Sequence, residues 1–213
     1  MKNLSLVTVG KYKEFMDSGG YSNKNYWSDE GWKEKKNSNW TKPHNWNLTE
    51  EPSNPVVGIS YYEAEAYCKW AGGRLPTEAE YEKAARWTGT HSNLWTWGDT
   101  WDPEKCNNPD DHNPAGGGYR KNQSAPVGSY PDGASPYGVM DLVGNAYEWC
   151  ADWAKSHPGS SRPFDHTGKY HIVKGGCWDD IGITAAFRSW YLPPSSAGTG
   201  PGDSDYIGFR IAR

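Results

Sequence analysis

Apolar residues recur at helical spacing only in the first ninety positions of the chain. Val9, Tyr12, Phe15 and Met16 fall on one face after Thr8, a capping residue, and Gly19-Gly20 follows as a stop, which predicts a helix over 9–16. Ser60 with Glu63 has the spacing of a capping box, and Ala64, Tyr67, Cys68 and Ala71 continue at helical spacing up to Gly72-Gly73. A twelve-residue amphipathic helix is expected there. Thr77 with Glu80 repeats the device, with Tyr81, Ala84, Ala85 and Thr88 on one face and Gly89 at the end. The link Arg74-Leu75-Pro76 is short, so these two helices are neighbours in space. Beyond Trp87 the pattern gives way to Gly, Pro, Asn, Asp and Trp, the composition of turns and ordered loops. Two brief runs, His171 to Lys174 and Ile207 to Ile211, read as strands. No repeat and no low-complexity linker divides the chain, so residues 1–213 are expected to form one domain.

Composition changes the picture of the core. Hydrophobic residues make up 35% of 213, but 13 Trp and 14 Tyr stand beside 25 Gly and 15 Pro, so aromatic rings must supply most of the interior. The 22 Lys and Arg against 26 Asp and Glu give a net charge of -4 with no basic run, which argues against a nucleic-acid partner. No apolar run approaches the roughly 20 residues of a membrane span, and Met1 to Thr8 lacks a hydrophobic leader segment. Neither a membrane protein nor an exported one is expected.

Cys68, Cys106, Cys150 and Cys177 are far apart, which suits buried free thiols better than a zinc knuckle or a disulfide framework. The spacing leaves a pairing of two of them open. His44, His91, His112, His157, His166 and His171 form no HxH or HxxxH ligand pair.

Seven blocks in order carry a resemblance: Asn54-Pro-Val-Val-Gly-Ile-Ser60, Gly73-Arg-Leu-Pro-Thr-Glu-Ala-Glu-Tyr81, Trp97-Gly98, Pro126-Val-Gly-Ser-Tyr-Pro131, Gly144-Asn-Ala-Tyr-Glu-Trp149, Lys174-Gly-Gly176 and Ile207-Gly-Phe-Arg210. The chain resembles the formylglycine-generating-enzyme (sulfatase-modifying factor) family from about Val7 to Arg213. The resemblance implies an α+β domain, that family's variant of the C-type lectin fold, rich in loops with short strands and a few short helices. Tyr26-Trp27-Ser-Asp-Glu-Gly-Trp32 is similar to the insert of the family's sulfoxide-synthase branch, which makes ergothioneine precursors with iron held by a separate helical domain. No helical domain of that kind is legible in these residues. The family's opening strands before Val7-Thr8 are also not visible, and the Leu4 to Val7 run is placed to replace one of them.

In the formylglycine-generating enzymes a Cys pair after the Gly-Gly motif binds copper and oxidises a substrate cysteine. Counted without gaps from Gly175-Gly176-Cys177-Trp178, its positions fall on Asp180 and Ala185, neither of which can act as a thiolate, so copper is not expected. Cys177 has only Asp179 and Asp180 beside it in sequence, which would raise its pKa and suit a buried small residue better than a nucleophile. The resemblance also implies a structural calcium, with side-chain oxygens from Asp141 and Glu148 and carbonyls from Val143 or Gly144 and from Ala146. The bland alternative is that Asp141 caps the turn and Glu148 pairs with an Arg. A second calcium site would use Asn107 and Asn108, with Asp110 or Asp111 replacing a ligand lost in the Tyr119-Arg120-Lys121 region.

Between Trp178 and Ile207 lie 28 residues without Lys, Glu, Gln or Met, four types that occur 31 times in the preceding 178. Loop composition can produce this. It also resembles the variable repeat of diversity-generating-retroelement target proteins, in which randomised Asn codons never yield those four residues. On that reading residues 175–210 form a variable region. Asp179, Asp180, Ile181, Gly182, Ile183, Thr184, Tyr191, Leu192, Ser195, Ser196, Asp203 and Ser204 would face a ligand, while Trp178, Phe187, Trp190, Ile207 and Phe209 anchor them from inside. The function expected first is therefore a non-enzymatic protein of viral, phage or microbial origin, virion- or cell-surface-associated, that binds a protein or cell-surface target. The alternatives are an oxidoreductase of the formylglycine-generating or sulfoxide-synthase type and a calcium-stabilised carbohydrate- or protein-binding module.

Overall fold

Capping chemistry sets where the helices begin. In the computed structural model, which describes residues 5–44, 46, 51–109, 123–180, 182–193 and 204–213, Thr8 caps α1 (Val9–Asp17) by accepting the Lys11 N–H. Val9, Tyr12 and Phe15 are buried on its inner face. The Gly19 and Gly20 N–H groups return to the Met16 and Phe15 carbonyls and close its end. A second helix, α2 (Asp29–Asn37), starts at Ser28 with Asp29 and Glu30 in its first turn and Lys35 and Lys36 in its last. Both capping boxes read from the sequence are formed, Ser60 with Glu63 before α3 (Tyr61–Trp70) and Thr77 with Glu80 before α4 (Glu78–Arg86). Helix α4 stops at Trp87, which is extended, so Thr88 lies outside it and is exposed.

Four short strands form one sheet in the order β3-β2-β1-β4. Strand β1 (Tyr147–Trp153) pairs antiparallel with β2 (His171–Lys174), with Trp149 opposite Val173 and a register irregularity before Trp153. Strand β3 (Arg188–Tyr191) pairs antiparallel with β2, and β4 (Ile207–Gly208) runs parallel to β1. Leu6 bridges Arg210 and the Val7 N–H donates to the Phe209 carbonyl, so the residues before α1 extend the pairing beside β4.

Successive residues of a strand face opposite sides of a sheet, and the two hydrophobic clusters divide on that rule. Trp149 and Val173 join Tyr12, Phe15, Tyr67 and Phe209 on one side; Cys150 and Ile172 join Tyr81, Ala85, Leu142 and Ala185 on the other. The rings interlock on the first side, with Tyr12 stacked on Tyr67 at 5.4 Å and edge-on to Phe209 at 6.2 Å. The buried indole N–H of Trp149 donates to the Ile59 carbonyl at 2.8 Å and that of Trp27 to the Gly20 carbonyl at 2.9 Å. This is a loop-rich α+β fold whose interior is largely aromatic. Among the described residues no helix is long and apolar enough to cross a membrane.

Candidate functional site

Strand β2 leads into Gly175-Gly176, and the crowding there explains both glycines. Each has a positive φ, +90° and +74°. A Cβ on Gly175 would lie 2.6 Å from the Tyr81 hydroxyl, and one on Gly176 would meet Ile183 at 3.0 Å. The Gly144 N–H donates to the Gly175 carbonyl, locking this turn to the one before β1.

The next residues form a tight polar turn. The Cys177 N–H donates to Asp180 Oδ2 at 2.8 Å, and the Asp180 N–H returns to the Cys177 carbonyl at 3.2 Å. Burial pushes the Cys177 thiol pKa up, and although the Asp179 backbone N–H works against it, the Asp180 carboxylate adds to the rise, so the thiolate is disfavoured. Burial also raises the Tyr147 phenol, whose hydroxyl is hydrogen-bonded to Asp180. Tyr147 heads a row of half-buried rings, with Phe187 at 5.8 Å and Tyr191 at 6.3 Å between centroids. Trp178 is buried against Tyr206 at 4.8 Å, and its indole N–H has no acceptor among the described residues.

Of the twelve residues expected to face a ligand, Asp179 is exposed, and Asp180, Gly182, Ile183, Thr184, Tyr191 and Leu192 are half-buried. Ile181, Ser195, Ser196 and Asp203 lie outside the described residues, and Ser204 opens a single 3₁₀ turn before β4. Trp178, Ile207 and Phe209 are interior, as an anchor must be, and Phe187 is half-buried. Trp190 is not an interior anchor: it is 38% exposed on edge strand β3, against Phe164 at 5.0 Å and His166 at 6.0 Å. Sequence reading missed Tyr147 as part of this face and missed Trp95, whose indole N–H donates to the Ile183 carbonyl at 3.0 Å. The alternation of Tyr147 with Trp149 along one strand was the available signal for the first; nothing local signals the second.

The residues of the expected calcium site surround a guanidinium. Arg210 Nε donates to Glu148 Oε2 at 2.5 Å and its Nη2 to Glu148 Oε1 at 2.6 Å, a two-point pair in the interior. The Tyr81 hydroxyl donates to Glu148 Oε1 at 2.9 Å and is also placed on the Leu142 carbonyl at 3.0 Å. Burial works to lower the Arg210 pKa, the Glu148 charge works against it, and the net direction is up. Asp141 Oδ2 accepts the Gly128 N–H at 2.7 Å, and its carbonyl accepts from Arg210 at 3.1 Å. With both Glu148 oxygens held by Arg210, Asp141, Gly144, Ala146 and Glu148 do not fit a cation in this arrangement. Asn107 and Asn108 are buried structural donors, Asn107 to Asn145 Oδ1 at 3.0 Å and Asn108 to the Pro103 carbonyl at 2.8 Å. Asp110, Asp111 and residues 119–121 lie outside the described residues.

At the two positions counted for the family's thiolates stand Asp180 and Ala185, and the four cysteines, Cys68, Cys106, Cys150 and Cys177, are free and buried. Among the described residues no group of three or more His, Cys, Asp or Glu side chains could hold a metal ion.

Residues 4–213 match the sulfatase-modifying factor enzyme 1-like domain. The hercynine oxygenase of Mycobacterium tuberculosis is 35% identical over 88% of this chain and 48% of its own length. The formylglycine-generating enzyme of Streptomyces coelicolor is 35% identical over 85% of this chain and 60% of its own length. The chain thus spans about half the length of the curated relatives it matches. Variable protein 1 of Treponema denticola superposes with a TM-score of 0.58 over 80% of this chain and 74% of its own, at 22% identity.

These relatives overturn the expectation of a non-enzymatic protein with a diversified surface. At 33–35% identity, the relatives over most of the chain are named as enzymes, whereas the likeness to the Treponema protein is one of fold. The physical reason is that one scaffold carries binding proteins and catalysts alike, and the composition of a 28-residue loop reports which residue types occur without reporting what they do. From Leu4 to Arg213 this chain belongs to the family of the sulfatase-modifying factor enzyme 1-like domain.

Proposed function

We propose that this chain is the sulfatase-modifying-factor part of an oxygen-dependent oxidoreductase of the hercynine-oxygenase kind, and that its substrate face is formed by residues 177–180 and 182–184 with the rings of Tyr147, Phe187 and Tyr191. The observation that carries the reading is the 35% identity with a hercynine oxygenase across 88% of the chain. The absence of thiolates at Asp180 and Ala185 favours it over the copper branch. So does the insert from Tyr26 to Trp32, built into the fold by the buried Trp27 and by α2. The exposed Asp179 carboxylate, next in sequence to the Asp180 that neighbours the Tyr147 ring, suits a cationic substrate, and hercynine is a trimethylammonium betaine. Among the described residues no side-chain group fits an iron ion, and in this reading the chain's share is to bind and orient the substrate.

The test uses the protein in its native polypeptide or complex, supplied with hercynine, a small thiol, Fe(II) and oxygen. Oxygen uptake that depends on hercynine, together with a carbon–sulfur product in the mass spectrum, is expected. Uptake indifferent to hercynine, with no heat of hercynine binding in calorimetry, overturns the reading. Asp179→Asn is expected to raise the KM for hercynine about tenfold, the scale of one lost charge-assisted contact, and to leave the melting temperature unchanged because the side chain is exposed.

A further inference from the structure

The loop part of the substrate face, residues 177–180 and 182–184, has no helix or strand within it. Residues 182–187 lie between the Gly-Gly turn and β3, and a backbone hydrogen bond within them runs from the Phe187 N–H to the Thr184 carbonyl at 2.9 Å. Their position is fixed from outside. The Trp95 indole N–H donates to the Ile183 carbonyl at 3.0 Å, and the Ala185 N–H donates to the Leu94 carbonyl at 2.9 Å. Two bonds running in opposite directions thus tie this stretch to the turn at 94–98.

That turn is itself held rigidly. The Trp95 N–H closes on the Gly98 carbonyl at 2.9 Å, and the Leu94 N–H donates to Asp99 Oδ1 at 2.7 Å. The buried Thr96 hydroxyl donates to the Gly133 carbonyl at 2.7 Å. The indoles of Trp95, Trp97 and Trp101 pack on one another with centroids 5.6 to 6.4 Å apart. The Trp95 indole N–H reaches across to Ile183, whereas the Trp97 N–H is spent within its own loop on the Thr100 carbonyl at 3.0 Å. On the far side, the Ile183 side chain rests where Gly176 leaves no room for a Cβ. Ile183 therefore packs on the glycine that leads into the Cys177–Asp180 turn.

We infer that Trp95 is a positioning residue, which through the Ile183 carbonyl fixes residues 182–184 beside the Cys177–Asp180 turn in their ligand-binding shape. Its role in ligand affinity rests on the oxidoreductase reading above; its role as a clamp does not. Trp95→Phe keeps a ring beside Trp97 and Trp101 and removes the donor, and Trp97→Phe makes the same chemical change where no clamp is lost. Both are compared with the unaltered protein by amide hydrogen exchange and by the kinetics of hercynine turnover in the native polypeptide or complex.

Trp95→Phe is expected to speed exchange across 179–187 about tenfold, the scale of one hydrogen bond. It should also raise the KM for hercynine five- to twentyfold while kcat stays within about twofold, because a misplaced binding turn loses binding before it loses chemistry. Trp97→Phe is expected to change neither. Equal exchange at 179–187 in the two variants overturns the clamp. Faster exchange in Trp95→Phe with an unaltered KM overturns the link to the ligand. A native protein with no hercynine turnover defeats the oxidoreductase reading, while the exchange contrast still decides the clamp.

Discussion

Arg210 sits in the interior with its charge fully committed. Its guanidinium takes both oxygens of Glu148 and the carbonyl of Asp141, and its face lies 5.7 Å from the Tyr81 ring. Two charges brought out of water are tolerable only as a pair with their remaining hydrogen bonds satisfied, and removing one partner leaves the other buried alone. Arg210→Leu is accordingly expected to cost about 3 to 5 kcal/mol in urea denaturation. Adding Glu148→Leu to it should recover a large part of that loss, because the uncompensated carboxylate is gone. Recovery of nothing would mean that the carboxylate finds another partner in the single variant. The motif ending in Arg210 and the Glu at 148 were both legible in the sequence, and a Glu148–Arg pair was one of the two readings it left open; what it did not give was Arg210 as the partner. A carboxylate in a glycine-rich turn looks the same whether a metal ion or a guanidinium faces it, and here the guanidinium arrives from 62 residues away. Trp190 fails similarly: a Trp between strand-like neighbours reads as core, and only the strand order shows that β3 is an edge.

At the scale of elements, three of the four long helices were legible because their caps are local chemistry. The two capping boxes differ in setting, and this difference is testable. Ser60 is fully buried; its hydroxyl donates to Glu63 Oε2 at 2.7 Å and accepts the Glu63 N–H at 3.2 Å. Thr77 makes the same acceptor bond to the Glu80 N–H near the surface, where water can replace it. Thr77→Ala should cost about 1 kcal/mol, whereas Ser60→Ala should cost about 2 kcal/mol or more because it also strips a bond from a buried carboxyl. In thermal melts that is about 2 to 4 °C against at least twice as much. Equal shifts would show that burial of the Ser60 box adds nothing. Helix α2 escaped the sequence reading because it buries only Gly31 and leaves Trp32 half-exposed, so no apolar stripe marks it, although Ser28 and its charged ends do. Strand β1 escaped for the opposite reason. Glu148 lies in its fully buried stretch, a position where alternation calls for an apolar residue, and the segment read as a turn.

The molecule as a whole carries two buried titrating groups whose effects oppose one another. Glu63, on the first cluster's side, accepts from the Tyr21 hydroxyl, the Ser60 hydroxyl and the Ser60 N–H, yet burial outweighs these bonds and raises its pKa from 4.5 to about 7. His171, on β2, lies between the rings of Tyr61 at 3.5 Å and Trp153 at 3.7 Å, and burial lowers its pKa from 6.5 to about 4. Between about pH 4.5 and 7 the folded protein holds a proton on Glu63 that the unfolded chain has released, so stability falls as pH rises through that window. Between about pH 4 and 6.5 the unfolded chain holds a proton on its histidine that the folded protein excludes, so stability rises with pH there. Each contribution is on the order of 3 kcal/mol over its full window. Where they overlap, from about pH 4.5 to 6.5, the two slopes cancel, and the melting temperature of the unaltered protein should be nearly flat. Single substitutions remove the cancellation. Glu63→Gln should leave a melting temperature that climbs from pH 4.5 to 6.5, and His171→Phe, which keeps a ring between Tyr61 and Trp153, should leave one that falls over the same range. Each change should be on the order of 6 to 12 °C, and the double variant should be flat again. Parallel curves for the two single variants would mean that at least one of these groups keeps its ordinary pKa in the fold, and that the aromatic interior is wetter around it than its burial suggests.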